Sequence, residues 1–174
     1  KSYPHIYLRF SAEDSFRTPL EDMFRMYDKV HQLVNTFGMP DTVGIATPTI
    51  VAERIKALKE RYPKVDLECH FHNDRGLSLI NAITAVQSGA SYIDTSIWGM
   101  AERSGITSVT GLLLNLYYED KSLCKDYNLK ICYPLNVLMG SILKLQVSPT
   151  EPTSITNRTH TAGVHQKAVV NNSY

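Results

Sequence analysis

The sequence predicts an α/β fold in which parallel strands and helices alternate around a β/α barrel. Strand patterns begin near residues 6, 35, 65 and 91, and helical patterns separate them. A repeat of roughly 25 to 30 residues is typical of βα units in a parallel sheet. Two of the strands combine an apolar face with a polar one, although strands covered on both sides are usually apolar throughout. A closed barrel explains this pattern, because the polar face then lines the lumen.

The predicted elements follow one another as four βα units. A strand pattern, "HIYLRFSAE", precedes a helix that we expect from Pro19 to about Gln32, with Thr18 as its N-cap. Thr47 and Pro48 repeat this start signal for a second helix. The other predicted elements are strands over 35–39, 65–73 and 91–99 and helices over 77–89 and 108–118.

Four units fall short of a full barrel, which needs about 250 residues. From about Lys121 the tail does not continue the alternation of strands and helices. The composition of 146–159 predicts a loop or linker, and we expect a short helix within 163–171. The first residue is Lys1 rather than Met. We therefore expect a processed product or a piece of a longer protein.

The composition indicates a soluble globular protein of 174 residues, with 43% hydrophobic and 20% charged residues. A net charge of +1 without a basic block gives no indication of nucleic acid or membrane surfaces as partners. No apolar run approaches the length of a membrane-spanning helix, and no signal peptide opens the chain. Three cysteines without a CxxC motif favour reduced thiols and a cytoplasmic location.

The stretch "ECHFHNDRG" carries the clearest candidate for a functional site. His70 and His72 are two apart on a predicted strand, so both project from the same face. They are either two ligands of one divalent metal or two buried polar residues with ordinary partners. Asn73 and Asp74 favour the metal, because groups beside metal-binding histidines orient their rings.

Each of the other polar residues at the predicted strand ends has a functional and a structural interpretation. Arg9 needs a partner in the lumen, either a substrate carboxylate or an acidic side chain at position 13, 66 or 68. Glu13 is then a catalytic base, the orienting partner of one, or half of that ion pair. Thr42 either holds a carboxylate or caps its turn.

Two further motifs contain charged or basic side chains. Glu102 and Arg103 lie in a glycine-bounded loop, "GMAERSGIT", where a structural or solvated ion pair is the commoner outcome. His160 and His165 follow the last predicted barrel helix. Each is either a general base supplied by a lid or a structural histidine.

Five stretches together resemble homocitrate synthases, which belong to the DRE-TIM metallolyase group with isopropylmalate and citramalate synthases. The stretches are "RFSAEDSFR", "DTVGIATP", "ECHFHND", "GMAERSGIT" and "THTAGVHQKA", in that order, and the resemblance covers residues 5–174. The first stretch and Ile106 favour the homocitrate branch, since many isopropylmalate and citramalate synthases have Asn at the position of Ile106.

The resemblance implies roles for individual residues. His70 and His72 are implied to be metal ligands, and Arg9, Ser11 and Thr42 are implied to contact the carboxylates of 2-oxoglutarate. Two nitrogen ligands suit Zn²⁺, although oxygen ligands that complete the site would also admit Mg²⁺ or Mn²⁺.

The resemblance also implies the catalytic base and the part of the fold that carries it. His165 resembles that base, with Glu13 as its partner and Tyr174 as an assisting group, on a lid that in this family reaches a neighbouring subunit's barrel. Residues 1–120 then form the C-terminal part of a (β/α)8 TIM barrel. Residues 121–174 form the final barrel helix region and a helical linker or lid segment.

One departure from the group bears on activity. The group's barrel begins with a strand ending in an Asp-x-Arg-Asp/Glu-Gly-like motif, which supplies a third protein metal ligand, and no such motif occurs in this sequence. We expect that this chain alone is not catalytically competent. We also expect it to associate, as a homodimer or with the missing half of the barrel.

The implied activity is acyl transfer: a metal-dependent Claisen-type condensation of acetyl-CoA with 2-oxoglutarate to give homocitrate, in lysine biosynthesis via aminoadipate. The alternatives are Re-citrate, 2-isopropylmalate or citramalate synthase. A lyase such as hydroxymethylglutaryl-CoA lyase is disfavoured, because "AGVHQKA" resembles the synthases. A non-catalytic fragment that binds metal or an acid is the alternative from a different class.

Overall fold

Parallel strands form the centre of the molecule, and their order in the sheet is their order in the sequence. The computed structural model describes residues 5–148 and 151–152. Within them the sheet has four strands, namely β1 Arg9–Ser11, β2 Thr36–Asp41, β3 Asp66–Phe71 and β4 Tyr92–Ile93. All neighbouring pairs are parallel, which confirms the predicted α/β fold of consecutive βα units.

Helical structure follows each strand. The α-helices are α1 Leu20–Val30, α2 Pro48–Arg61, α3 Ser78–Gln87, α4 Val109–Glu119 and α5 Cys132–Leu143; short 3₁₀ turns lie at Ile97–Gly99, Lys121–Cys124 and Leu129–Ile131. We expected a final barrel helix region within 121–174 but assigned no bounds to α5. Its residues, "CYPLNVLMGSIL", are apolar around most of the helix, so they lack the contrast between faces on which a helix is recognised.

The alternation of β3 separates the core from the lumen face of the sheet. Leu67, Cys69 and Phe71 are completely buried among the outer helices, whereas the intervening Glu68 and His70 are only partly buried. Burial also raises the pKa of the Cys69 thiol well above its usual range. The two-faced reading of this strand is therefore confirmed, and its polar side chains are available at the lumen face.

The start of α2 is as predicted, and the start of α1 is not. Thr47 caps α2 by accepting a hydrogen bond from the Ile50 backbone N–H at 3.5 Å. At α1 the cap position falls on Pro19, without a side-chain cap. The Thr18 hydroxyl instead donates to the Asp14 backbone carbonyl at 2.9 Å, because the preceding turn offers it that acceptor.

The first and last strands are shorter than their sequence patterns. β1 contains three residues and β4 two, although the patterns extend over nine residues each. Ile6 and Leu8, which continue the alternation before β1, are each 42% exposed. In the described residues each outer strand has a single neighbouring strand, so its backbone hydrogen bonds to the sheet end before the sequence pattern does. Across the same residues, no helix is both long and apolar enough to cross a membrane.

Candidate active site

Polar side chains converge at the carboxyl ends of the strands. His70 lies on β3 beside Pro40 of β2, and His72 directly follows β3. Asp94 directly follows β4, the neighbouring strand on the other side. Because parallel strands end at the same edge of a sheet, two consecutive units contribute these side chains to one site, as in barrel enzymes.

The two histidines face each other through their Nε2 atoms, which are 3.2 Å apart. Two imidazole nitrogens bound to one tetrahedral zinc lie about 3.4 Å apart, given Zn–N bonds of about 2.05 Å. On the other side of its ring, His70 Nδ1 lies 3.0 Å from an Asp94 carboxylate oxygen. A carboxylate in this place fixes the ring and leaves Nε2 as the ligand atom. The 3.2 Å separation also suits a hydrogen bond between the two rings, so the geometry is compatible with both readings of the pair, as metal ligands and as polar residues with ordinary partners.

Asp94 is a site residue that sequence reasoning missed. We expected Asn73 and Asp74 to orient the histidines, and that expectation is wrong. The Asn73 side-chain oxygen accepts from the Ser78 hydroxyl at 2.8 Å and so holds the first turn of α3. Asp74 pairs with Arg103 instead. The available signal for Asp94 was a carboxylate at the end of the next parallel strand.

Within the described residues the surroundings of His72 do not form a complete metal-binding cage. His72 is 8% exposed, and its Nδ1 is buried without a hydrogen-bond partner among the described residues. A Glu102 carboxylate oxygen lies 3.8 Å from its Nε2. Across 5–148 and 151–152, no group of three or more His, Cys, Asp or Glu residues could hold a metal ion. A metal here needs ligands from elsewhere.

Arg9 and Ser11 lie together over Gly38 on the lumen face. The Arg9 guanidinium forms an ion pair with Glu68, with Nη2 and Oε1 2.6 Å apart, so Glu68 is its internal partner. A Cβ atom on Gly38 would lie 2.7 Å from the Ser11 hydroxyl oxygen and 2.9 Å from Arg9 Nε. Gly38 therefore makes room for both side chains, a role that a glycine inside a strand often has.

Thr42 has a structural role, although its hydroxyl holds the loop after β1 and does not cap its own turn. Its hydroxyl oxygen accepts from the Asp14 backbone N–H at 2.8 Å, where Asp14 has a φ of +56°. The hydroxyl hydrogen is not used in this bond and can still be donated to a ligand. The preceding Asp41 is buried and accepts from the Ile45 and Ala46 N–H groups. Burial raises the pKa of Asp41 above its usual value.

The remaining predicted catalytic residues are not assembled in the described part of the chain. Glu13 is exposed in the loop after β1 and is not the partner of Arg9. His165 and Tyr174 lie outside the described residues, as does His160.

Glu102 and Arg103 form the ion pair that the sequence predicted, with Nη1 and Oε1 2.7 Å apart. Arg103 also binds Asp74, with Nε and Oδ1 2.8 Å apart. The Arg103 guanidinium holds the pKa of the Asp74 carboxyl below its usual value, and Asp74 in turn raises the pKa of Arg103. The motif thus connects its own loop to the loop after the histidine strand.

Comparison with known proteins identifies similar sequences. Residues 3–136 match the model of the family described as HMGL-like. The mitochondrial homocitrate synthase of Schizosaccharomyces pombe is 41% identical over 96% of this chain and 40% of its own length. The cytosolic isozyme of Saccharomyces cerevisiae homocitrate synthase is 39% identical, with the same two coverages of 96% and 40%. A 2-isopropylmalate synthase of Buchnera aphidicola is 30% identical over 95% of this chain and 34% of its own length.

Two facts limit the conclusions that these similarities allow. The chain spans about 40% of the length of the homocitrate synthases that it matches. Among solved structures, an HMG-CoA lyase of Bacillus subtilis superposes with a TM-score of 0.72 at 20% identity, over 90% of this chain and 55% of that one. At that identity the likeness shows the fold alone, which agrees with the predicted barrel architecture.

Proposed function

Because the chain belongs to the HMGL-like family, as its motifs predicted, we propose that it is part of a homocitrate synthase. Such an enzyme is an acyltransferase that condenses acetyl-CoA with 2-oxoglutarate, and homocitrate serves lysine biosynthesis. The 41% identity to a homocitrate synthase, against 30% to a 2-isopropylmalate synthase, favours this activity over its nearest alternative. The observation that carries the proposal is the convergence of His70 and His72 Nε2 at 3.2 Å beside Asp94.

His70 and His72 would hold a divalent metal, and Asp94 would orient His70. When bound, such a metal supplies Lewis-acid polarisation of the 2-oxo group and stabilises negative charge that develops on its oxygen. Two imidazole ligands favour Zn²⁺, with Mg²⁺ or Mn²⁺ as alternatives if oxygen ligands complete the site. His72 itself is buried.

The acid would be oriented by Arg9, Ser11 and Thr42. Arg9 is a bidentate donor suited to a carboxylate, and it lies over Gly38 on the lumen face, as does the Ser11 hydroxyl. Its ion pair with Glu68 is partly exposed, with side-chain exposures of 43% and 21%. A pair of this kind is weak enough for an incoming carboxylate to share or displace it. Thr42 would donate its remaining hydroxyl hydrogen to the same ligand.

Carbon–carbon bond formation requires a base. We assign this role to His165, with Glu13 and Tyr174 assisting. The base takes a proton from the acetyl methyl group, the resulting carbon attacks the ketone carbon, and the ketone oxygen gains a proton. Water then cleaves the thioester and releases the thiol of coenzyme A. A positioned base contributes roughly 10²–10⁴-fold to such a step.

The assembly and the compartment follow from the same proposal. Because this chain matches about 40% of its relatives' length, we expect turnover only when the rest of the barrel is present, in the same chain or as a partner. A homodimer is the alternative assembly. The relatives include a cytosolic and a mitochondrial enzyme, and we propose the cytoplasm on the basis of the three free cysteines.

Metal binding tests the proposal directly. Zinc content and zinc affinity are measured for the protein with its whole barrel, for His70→Ala, and for His31→Ala as the control. His31 lies at the end of α1 and bonds to the backbone of its own helix. We expect one metal per site in the wild type and the control, and a loss of at least about tenfold in affinity in His70→Ala. Equal zinc affinity in all three proteins would contradict the proposal.

The choice of acid is tested with the same protein. Initial rates with acetyl-CoA are compared for 2-oxoglutarate, 2-oxoisovalerate and pyruvate. Preference for 2-oxoglutarate supports a homocitrate synthase. Preference for 2-oxoisovalerate would assign the 2-isopropylmalate reaction instead, and preference for pyruvate the citramalate reaction. Zinc binding without any condensation would favour a non-catalytic metal-binding protein.

A further inference from the structure

Arg103 connects the loops at the ends of three adjacent strands. It lies in the loop after β4, and its Nη2 donates to the Thr42 backbone carbonyl, in the loop after β2, at 2.9 Å. Its Nε and Nη2 hold the Asp74 carboxylate, in the loop after β3, at 2.8 and 3.0 Å. A planar guanidinium can make these bonds at once because its donors point in fixed, divergent directions.

The backbone at Arg103 shows that this arrangement is held by its contacts. Arg103 has a φ of +52°, a left-handed conformation that residues with a bulky side chain seldom adopt. Such a conformation persists where the surroundings determine it, and it is often associated with function. Here it directs the guanidinium back across the rim of the sheet toward Asp74 and Thr42.

The loop that Arg103 stabilises is paired with the backbone of the histidine strand. The Asn73 N–H donates to the Gly105 carbonyl at 2.9 Å, and His72 forms an antiparallel bridge with Ile106. Glu102, the third partner of Arg103, places a carboxylate oxygen 3.8 Å from His72 Nε2. A displacement of this loop therefore reaches His72 through both its backbone and its side chain.

We propose that Arg103 is a positioning residue that keeps His72 and Thr42 in one site by holding the loops after β2, β3 and β4 together. The role in the reaction rests on the metal-dependent function proposed above. Arg103 acts through residues that it holds, and it does not itself touch the metal or the acid.

Arg17 provides a matched control. It binds the Asp14 carboxylate with Nε at 2.8 Å from both oxygens, so the chemistry is the same as at Arg103. Both residues belong to the loop after β1, however, so this ion pair joins no second loop. Exposed pairs of this local kind contribute little. Arg17→Gln therefore removes an equivalent charge without the connection between loops.

The first test measures amide hydrogen exchange in metal-free protein containing the whole barrel. In Arg103→Gln we expect the N–H groups of Asn73 and Ile106 to exchange about tenfold faster, because the loop opens more often. Both N–H groups bond within or to this loop, to the Gly105 and Gly99 carbonyls. Arg17→Gln should leave both unchanged. Unchanged exchange in Arg103→Gln would overturn the proposal.

The second test measures zinc affinity for the same proteins by competition with a chelator. We expect Arg103→Gln to weaken binding by about 10- to 100-fold, as losses of groups that support metal ligands do, and Arg17→Gln to leave it unchanged. In Arg103→Gly, whose glycine accepts the positive φ, millimolar guanidinium should restore affinity. Faster exchange with unaltered zinc affinity would overturn the positioning role.

The two measurements separate this proposal from the proposed function. If the wild-type protein binds no zinc, the metal-dependent function fails, and the role of Arg103 in the reaction fails with it. The exchange rates then still show whether Arg103 holds the loops. If zinc binds to the wild type and only Arg103→Gln loses it, both proposals are supported.

Discussion

Replacement of Gly99 by alanine tests how strictly the loop after β4 is determined. Gly99 has a φ of +67°, and a Cβ atom there would lie well inside 3.0 Å of the Ile106 carbonyl oxygen. The left-handed backbone costs an alanine about 1–2 kcal/mol. The collision is with backbone, so the loop must also shift and weaken the Ile106 N–H···O=C Gly99 bond of 2.8 Å, at a cost of about 1 kcal/mol.

Gly76→Ala is the matched control, because Gly76 has a φ of +70° but no atom within 4 Å of its would-be Cβ. Gly76→Ala therefore incurs only the cost of the left-handed backbone, about 1–2 kcal/mol. For a protein of this size each kcal/mol lowers Tm by about 2–4 °C. We expect Gly99→Ala to lower Tm by about 5–10 °C and Gly76→Ala by about half as much. Equal Tm losses in the two variants would refute the argument that the collision matters.

Three further predictions concern the core, an ion pair and the site. Leu67→Ala should destabilise the fold by about 3 kcal/mol in urea unfolding, because Leu67 is fully buried; Leu33→Ala, at a 58% exposed position, should change it by under about 0.5 kcal/mol. Arg61 lowers the pKa of Asp28 to about 2, so this pair stabilises the fold above about pH 4. That stability is lost as pH falls toward about 2, and Asp28→Asn should remove this part of the pH dependence of urea midpoints. Thr42→Val should cost about 1 kcal/mol by leaving a backbone N–H unpaired and should weaken 2-oxoglutarate binding in calorimetry, whereas Thr42→Ser should preserve both.

The sequence predicted the histidine site better than its supporting residues. His70 and His72 share a face because they alternate on one strand, which is a local property. Asp94 is 24 residues further along the chain, and its place beside His70 depends on β3 and β4 being neighbours. The sequence left Arg9 with several acidic candidates. Register selects Glu68, since Glu68 lies opposite Gly38 on the neighbouring strand and the Arg9 side chain lies over that glycine.

Helix starts likewise depend partly on local sequence and partly on tertiary contacts. Thr47 and Thr18 both precede a proline and have the same local signal, yet only Thr47 caps its helix. The difference at Thr18 comes from the turn before it, whose carbonyl at Asp14 takes the hydroxyl hydrogen. That turn is in turn held by Thr42 from another loop. The local sequence around Thr18 does not predict this outcome, because Thr42, which holds the turn, is distant in sequence.

The sequence by itself determined the alternation of strands and helices, the two faces of β3, the histidine pair and the family. These depend on periodicity and motif, which are local in the chain. Only the tertiary structure decided that Asp94 supports His70, that Glu68 pairs with Arg9, and that Arg103 joins three loops. Each of these depends on strands far apart in sequence lying side by side, where hydrogen bonds and charge select among residues that composition alone cannot distinguish.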